Sequence, residues 1–361
     1  MQQLRIPGPT PCPPEVLEAM GKQMINHRGN QFAEMLNRIT EKLKELFQTK
    51  NDLYVLTGSG TGGMEAAVVN MLSPGDKVLS ASNGVFGNRF ADIAEGYGAD
   101  VTRLKFEWGK PIDPDGVRQA LKADPKIKAV LLTHNETSTG VTSDLQAIAA
   151  VINEFDKLIL VDAISSLGCI DLKTDAWKCD VVVTGSQKGW MVPPGLAMVS
   201  ISERGWKAHA QAKIPRYYWD FTKAKSYLEK GQTPWTPCIS AFFALDVSLD
   251  MMLKEGLAGI FARHAKLGDM TRKGVKSLGL SLYPADEKYA SNTVTAVKGS
   301  EKVSASKLQQ VLREEYKVVV SGGQGDLTGK IFRIGHLGWV TEADIKETLD
   351  AIGKALPKAS T

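Results

Sequence analysis

Three short runs most constrain what this chain can fold into: AVLL (129–132), LILV (158–161) and VVV (181–183). None of them alternates apolar with polar residues. A strand with one wet face reads with a period of two, whereas a strand covered by helices on both faces is apolar throughout. Further β-branched runs at 53–57, 77–82, 100–106 and 196–202 alternate with helix-like stretches. This alternation predicts a doubly wound α/β domain around a mostly parallel sheet of seven strands.

The flanking segments read differently. IPGPTPCPP (6–14) is too rich in proline for a helix or a central strand and reads as an extended arm. Helical patterns follow at about 15–24 and at 32–47, separated by the polar break NHRGNQ (26–31). Beyond about residue 254, helical stretches (255–278, 304–315, 341–355) interleave with strand candidates at 291–297, 316–320 and 330–335. Thr341 and Asp344 have the spacing of a capping box for the last helix. The expected division is an N-terminal arm (1–15), a large domain (16–254) and a smaller C-terminal α+β domain (255–361).

Composition removes several function classes. The 44 basic and 40 acidic residues leave a net charge of only +4, and no basic run concentrates it, so no nucleic-acid partner is expected. No apolar run approaches the ~18–20 residues of a membrane span, and the N-terminus shows no signal-peptide core. The four cysteines have neither C-x-x-C spacing nor nearby histidines. They predict reduced, mostly buried thiols in a cytoplasmic protein and no metal site.

Three stretches can carry chemistry. In TGSGTGGMEAA (57–67), Gly58, Gly60 and Gly63 follow a β-like run and open a helix-like one. Glycines permit a tight turn anywhere. A helix N-terminus also attracts anions, and Ser59 and Thr61 add hydroxyl donors there. A dinucleotide site would further need an acid about 20 residues on, yet the next strand ends in SASNG (80–84). A site for a single phosphate demands less.

Asp162 closes the apolar run 158–161, at the sheet edge where ligands bind in open α/β folds. It can cap a turn, or it can anchor a cation such as Mg²⁺ or a protonated ring nitrogen. Lys188 follows the run 181–183 and lies 26 positions after Asp162. A solvated surface lysine is the ordinary alternative, but a desolvated one is a nucleophile. A lysine, a carboxylate and an anion cup together are the parts that pyridoxal 5′-phosphate (PLP) requires.

GSGTGGMEAA, THNETSTG (133–140), VDAISSLG (161–168) and GSQKGWMVPPG (185–195) occur in that order. Together they resemble the class V aminotransferases of PLP fold type I, in the alanine–glyoxylate and serine–glyoxylate branch. The resemblance runs from PGPT (7–10) to FRIG (332–335). It implies that Lys188 forms the Schiff base with PLP and, once freed, shuttles the proton between the substrate α-carbon and the cofactor. It implies that Asp162 pairs with the pyridinium nitrogen, that Ile164 packs on one ring face and that Phe86 packs on the other. Ser59, Gly60 and Thr61 would hold the phosphate with help from Gln187, and Thr137 would approach the ring hydroxyl. Arg333 would bind the substrate α-carboxylate through a bidentate fork.

In GQTPWTPCIS (231–240), Thr236, or Thr233 in its place, would reach the phosphate of a neighbouring subunit, so a homodimer with shared sites is implied. The aromatic run RYYWDF (216–221) can line such an interface or fill core, and the interface is the expected role. The implied reaction is a ping-pong transfer of an amino group from a small amino acid, alanine or serine, to a 2-oxo acid, glyoxylate. Other readings are a cysteine desulfurase of the same class or a non-catalytic accessory protein of the same fold. The loop 320–330 lacks the cysteine that a desulfurase needs, and Gln187 stands where desulfurases place histidine.

Overall fold

The structure is a computed structural model that describes residues 2–360. The first half of the chain runs β1 (Gln3–Arg5), α1 (Pro14–Met20), α2 (Asn30–Phe47), β2 (Asp52–Thr57), α3 (Gly60–Met71), β3 (Lys77–Ser82), α4 (Val85–Gly96), β4 (Asp100–Lys105) and α5 (Pro114–Ala123). It continues with β5 (Ala129–Thr133), the short pair β6 (Asn135–Glu136) and β7 (Val141–Thr142), α6 (Leu145–Glu154), β8 (Leu158–Asp162), β9 (Val181–Gly185) and β10 (Leu196–Ile201). Then come α7 (Glu203–His209), α8 (Phe221–Leu228), α9 (Ile239–Glu255), α10 (Leu257–Ser277), β11 (Val294–Lys298), α11 (Ala305–Glu315), β12 (Val318–Gly322), β13 (Ile331–Gly335) and α12 (Glu342–Ala355).

The seven expected strands form one sheet in the order β2-β10-β9-β8-β5-β3-β4. Only β10 runs against its neighbours. Strands β5, β8 and β9 are buried at every residue, as their unbroken apolar runs require. Their side chains feed two cores in alternation. Val130, Leu132, Ile159, Val161 and Val182 join the cluster under α2 and α9. Ala129, Leu131, Leu158, Leu160, Val181 and Val183 join the cluster under α3 and α4. Two covered faces leave no polar position in the central strands before their carboxyl ends, which is why period two vanishes there. Strand β4, at the sheet edge, keeps the alternation.

Helix α2 presents Phe32, Leu36, Ile39 and Leu43 to the sheet, and the Phe32 ring meets Phe242 of α9 at 5.4 Å. Truncating a fully buried Phe32 to alanine would cost about 3–5 kcal/mol.

A second sheet has the order β1-β12-β13-β11 and packs under α10, α11 and α12. The N-terminal arm is therefore not free of structure. Gln3–Arg5 adds as a parallel strand to β12, because the exposed edge of β12 offers unpaired amides and carbonyls. The helical pattern at 255–278 is α10, and Gly256 (φ 74°) separates it from α9, a helix the periodicity does not single out. The capping box at Thr341 and Asp344 forms as expected. Of the four free cysteines, Cys169 and Cys179 are buried, whereas Cys12 and Cys238 are only half-buried. No helix among the described residues is long and apolar enough to cross a membrane.

Candidate active site

The carboxyl ends of β5, β8 and β9 and the start of α3 meet around a cavity of about 160 Å³. Ser59 caps α3 by accepting from the Gly62 amide at 3.4 Å. The amides of Gly60 and Thr61, at the first two helical positions, have no intrahelical partner and open onto this cavity. A Cβ on Gly60 would fall 2.6 Å from Ile164 Cδ1, so a side chain there would force Ile164 to shift. The turn also rests on Gly185, whose own Cβ would come within 3.3 Å of the Gly60 backbone. Strand β9 thus fixes where the α3 amides point.

Asp162 ends β8 opposite Thr133 of β5 and is 3% exposed. Its Oδ1 accepts from the Ile164 amide at 2.9 Å, while Oδ2 has only a long contact of 3.5 Å with Thr133 Oγ1. Burial pushes its carboxyl up to about 7, the Ile164 amide opposes this, and Glu136 adds to the rise. A buried carboxylate with one free oxygen is matched to a cationic ligand atom.

Lys188 follows β9, and its Nζ donates to the carbonyl of Pro7. Burial lowers its amine to about 8, against the pull of Asp162 and with further lowering by Arg333 and Arg89. The arm wraps this lysine closely. Thr10 donates from its amide to the Gln187 carbonyl (3.1 Å) and from its hydroxyl to the Lys188 carbonyl (3.0 Å). A Cβ on Gly8 would lie 2.7 Å from Lys188 Cδ. Beside them, Gln187 Oε1 is buried without a hydrogen-bond partner.

Phe86, Thr137 and Ile164 line the same cavity. Thr137 Oγ1 donates to Ser165 Oγ at 2.7 Å. Arg333, 5% exposed on β13, donates from Nη1 to the Thr137 carbonyl (3.1 Å) and to Gln324 Oε1 (3.1 Å), and from Nε to the Gly322 carbonyl (2.8 Å). Burial lowers its guanidinium to about 10, and Glu136 counteracts this. The small sheet thereby ties a buried cation to Thr137, a residue that lines the pocket built by the large sheet.

Of the expected residues, Arg333 does not itself line this cavity but bonds to Thr137, which does, and Thr236 does not line it either. Thr236 is exposed beside Trp235, on the surface where the Tyr217 and Trp235 rings stack at 4.9 Å. Thr233 is buried and its hydroxyl is already committed to the Trp235 carbonyl at 2.8 Å. The run RYYWDF divides its roles. Trp219 packs against Gly58 and Gly62 of the α3 turn, Phe221 is core, and Tyr217 and Tyr218 are 70% and 45% exposed.

Four lining residues escaped the sequence reading: Met64, Arg89, Asn135 and Ser165. Each lies within a motif that carried the resemblance or beside Phe86, so the signal was present but unassigned. Arg89 sits over the Phe86 ring at 4.8 Å. Asn135 Nδ2 donates to Ser165 Oγ at 2.8 Å.

A larger cleft of about 450 Å³ lies between α9, α10 and residues 339–343. Its charges are already matched, Arg263 with Glu255 at 2.7 Å and Lys266 with Glu342 at 2.5 Å. The smaller cavity is the one that holds unpaired groups.

The unpartnered Gln187 oxygen can accept from a donor in this cavity. The open amides of Gly60 and Thr61 and the weakly engaged oxygen of Asp162 fit a ligand with an anionic end and a cationic ring atom. PLP has both.

Comparison with known proteins places the chain. The sequence profile of the family described as Aminotransferase class-V matches residues 4–333. The chain is 46% identical over 345 residues to the soluble hydrogenase 42 kDa subunit of Anabaena cylindrica, covering 95% of this chain and 90% of that one. It is 38% identical to the L-aspartate–glyoxylate aminotransferase of Paracoccus denitrificans, covering 94% and 87% respectively. The solved structure of an alanine–glyoxylate aminotransferase from Nostoc sp. superposes with a TM-score of 0.95 at 31% identity, covering 98% of this chain and 95% of that one. The architecture is PLP fold type I, with a mostly parallel seven-stranded sheet. On the family match and on these relatives, the chain belongs to the class V aminotransferases.

Proposed function

We propose that this protein is a PLP-dependent aminotransferase that moves an amino group from a small amino acid to glyoxylate by a ping-pong mechanism. One observation carries the reading. A buried lysine with a lowered amine pKa, a buried carboxylate with one free oxygen and an open helix N-terminus surround one cavity. Two of the similar proteins are named for glyoxylate and differ in the donor, aspartate in one and alanine in the other. Alanine or serine is our preferred donor class.

When bound, PLP supplies the carbonyl carbon that receives the amino group and an electron-withdrawing ring. Gly60 and Thr61 amides and the Ser59 and Thr61 hydroxyls hold its phosphate, with Gln187 alongside. Asp162 Oδ2 holds the ring-nitrogen proton, and Phe86 and Ile164 confine the ring faces. Thr137 approaches the ring hydroxyl. Lys188 Nζ holds the cofactor at rest and, when released, takes the proton from the donor's α-carbon. An amine near 8 keeps a useful neutral fraction at physiological pH. Arg333 fixes the donor's α-carboxylate, which selects α-amino acids over plain amines.

We also propose the division into an arm (1–15), a large domain (16–254) and a small domain (255–361). Separate apolar cores under the two sheets support it. A homodimer is proposed as well, with Thr236 rather than Thr233 reaching across. The exposed Tyr217 and Tyr218 beside Trp235, and an unengaged, exposed Thr236, support that choice.

The test is the visible spectrum of protein purified with PLP. A band that Lys188→Ala abolishes, with turnover reduced by ~10²–10⁴, is the expected result. Absence of any band in the wild type would overturn the assignment. Steady-state assays of alanine, serine and aspartate against glyoxylate and pyruvate then rank the substrates.

A further inference from the structure

Glu136 is fully buried, and the proposed reaction gives it no role. Among the described residues it has no ion-pair partner. Its carboxylate instead meets donors on every side. Oε2 accepts from the amides of Phe86 (3.0 Å) and Gly87 (3.0 Å). Oε1 accepts from the Ser138 amide (3.1 Å) and from the Ser138 hydroxyl (2.5 Å). That hydroxyl also accepts from the Val85 amide at 3.0 Å, which links a further amide of the same turn to Glu136. Three backbone amides and a hydroxyl converge on the two oxygens, and this hydrogen-bond geometry favours the ionised form against the cost of burial. Burial raises the carboxyl above its ordinary range, and the bonds from Ser138, Gly87 and Phe86 offset this only in part.

The amides concerned form the first turn of α4, which Gly84 precedes without any side-chain cap. A Cβ on Gly84 would fall 2.4 Å from Glu136 Cγ, so that glycine makes room for the carboxylate. Phe86 is the second residue of α4 and lines the cavity. The next residue after Glu136 is Thr137, whose carbonyl holds Arg333.

We infer that Glu136 is a positioning residue of this site: its carboxylate is a built-in anion that fixes the first turn of α4 and so holds Phe86 at the cavity wall. The inference rests on the proposed role of Phe86 as one face of the cofactor site. Replacing Glu136 by glutamine keeps the shape but turns an amide group toward N–H donors, leaving at least one of them unpaired. It also removes a negative charge near Arg333.

The two effects separate in experiment. First, hydrogen exchange of the peptide 83–90 is measured on cofactor-free protein. In Glu136→Gln it is expected to speed up by at least about tenfold, and Glu136→Asp is expected to recover part of the protection. Second, PLP affinity is read from quenching of protein fluorescence, and the dissociation constant is expected to rise by about tenfold in Glu136→Gln. Third, the KM for the amino-acid donor is expected not to rise, because Arg333 has lost a competing negative neighbour. General loosening would weaken both ligands together.

Exchange and PLP affinity within twofold of wild type would overturn the inference, as would a KM that rises in step with the PLP constant. If Glu136→Gln does not fold, Ser138→Ala removes one donor to Oε1 and the acceptor for Val85. It should speed exchange at 83–90 by about threefold, and unchanged exchange would overturn the inference. Because the exchange measurement needs no PLP, it stands apart from the cofactor assignment, which the wild-type spectrum decides.

Discussion

Two helix N-termini face the same cavity and treat their exposed amides in opposite ways. Helix α3 is capped by its own turn through Ser59, and its Gly60 and Thr61 amides stay open. Helix α4 has no local cap, and its first amides are closed by Glu136, 50 positions further along the chain. Both ends have the same dipole and the same appetite for an anion. One meets a carboxylate of the protein itself, and the other is the end to which the proposed function assigns the phosphate.

The largest test of this contrast lies at the closed end, where the Glu136–Thr137 pair ties α4 to Arg333. Arg333→Ala should raise the KM for amino-acid donors by about 10- to 100-fold, the worth of a charge-assisted bidentate contact. Unchanged KM would show that another group holds the carboxylate.

At the open end, Gly60→Ala would push a Cβ to within 2.6 Å of Ile164 Cδ1. PLP binding should weaken by about 1–3 kcal/mol, the usual cost of overpacking, and a titration showing wild-type affinity would mean the turn yields easily.

Between the two ends sits Asp162, whose carboxyl is raised from 3.8 to about 7. The native cofactor-free protein then binds a proton that the unfolded chain has already released. Stability should fall as pH rises from about 4 to about 7. Asp162→Asn should flatten that part of the urea-unfolding profile, and a profile of unchanged slope would assign the effect elsewhere. Lys188 contributes with the opposite sign. Between about 8 and 10.5 the unfolded chain holds the proton that the native amine has lost, so stability should rise with pH there.

The smallest effect is expected at α12, a helix that contributes no residue to the cavity lining and has an entirely local capping box. Thr341→Ala should cost about 1 kcal/mol of stability and leave turnover unchanged. A change in turnover would mean that the small domain's helix ends also matter to the site.

Much of this arrangement was legible in advance. The turn at 57–63, Asp162 and Lys188 each follow an apolar run, and the sheet places all three at one edge. The capping box at Thr341 and Asp344 was equally plain, since its partners are three residues apart. Glu136 was not legible, although it lies inside the quoted motif THNETSTG. Nothing in its neighbours along the chain signals that it caps a helix beginning at Val85. The contacts of the arm were hidden for the same reason: prolines explain why 6–14 is extended, not why Pro7 meets Lys188 or why Gln3–Arg5 joins β12.

By itself, then, the sequence determined which segments are buried strands, which turn opens a helix and which residue types could hold a phosphate and a cationic ring. Burial is non-directional and follows local hydrophobic periodicity, so it can be read along the chain. Only the tertiary structure decided which helix end stays open, which carboxylate closes the other and which carbonyl meets the lysine. Those are directional hydrogen bonds between residues far apart in sequence, and their geometry exists only once the two sheets have brought the partners together.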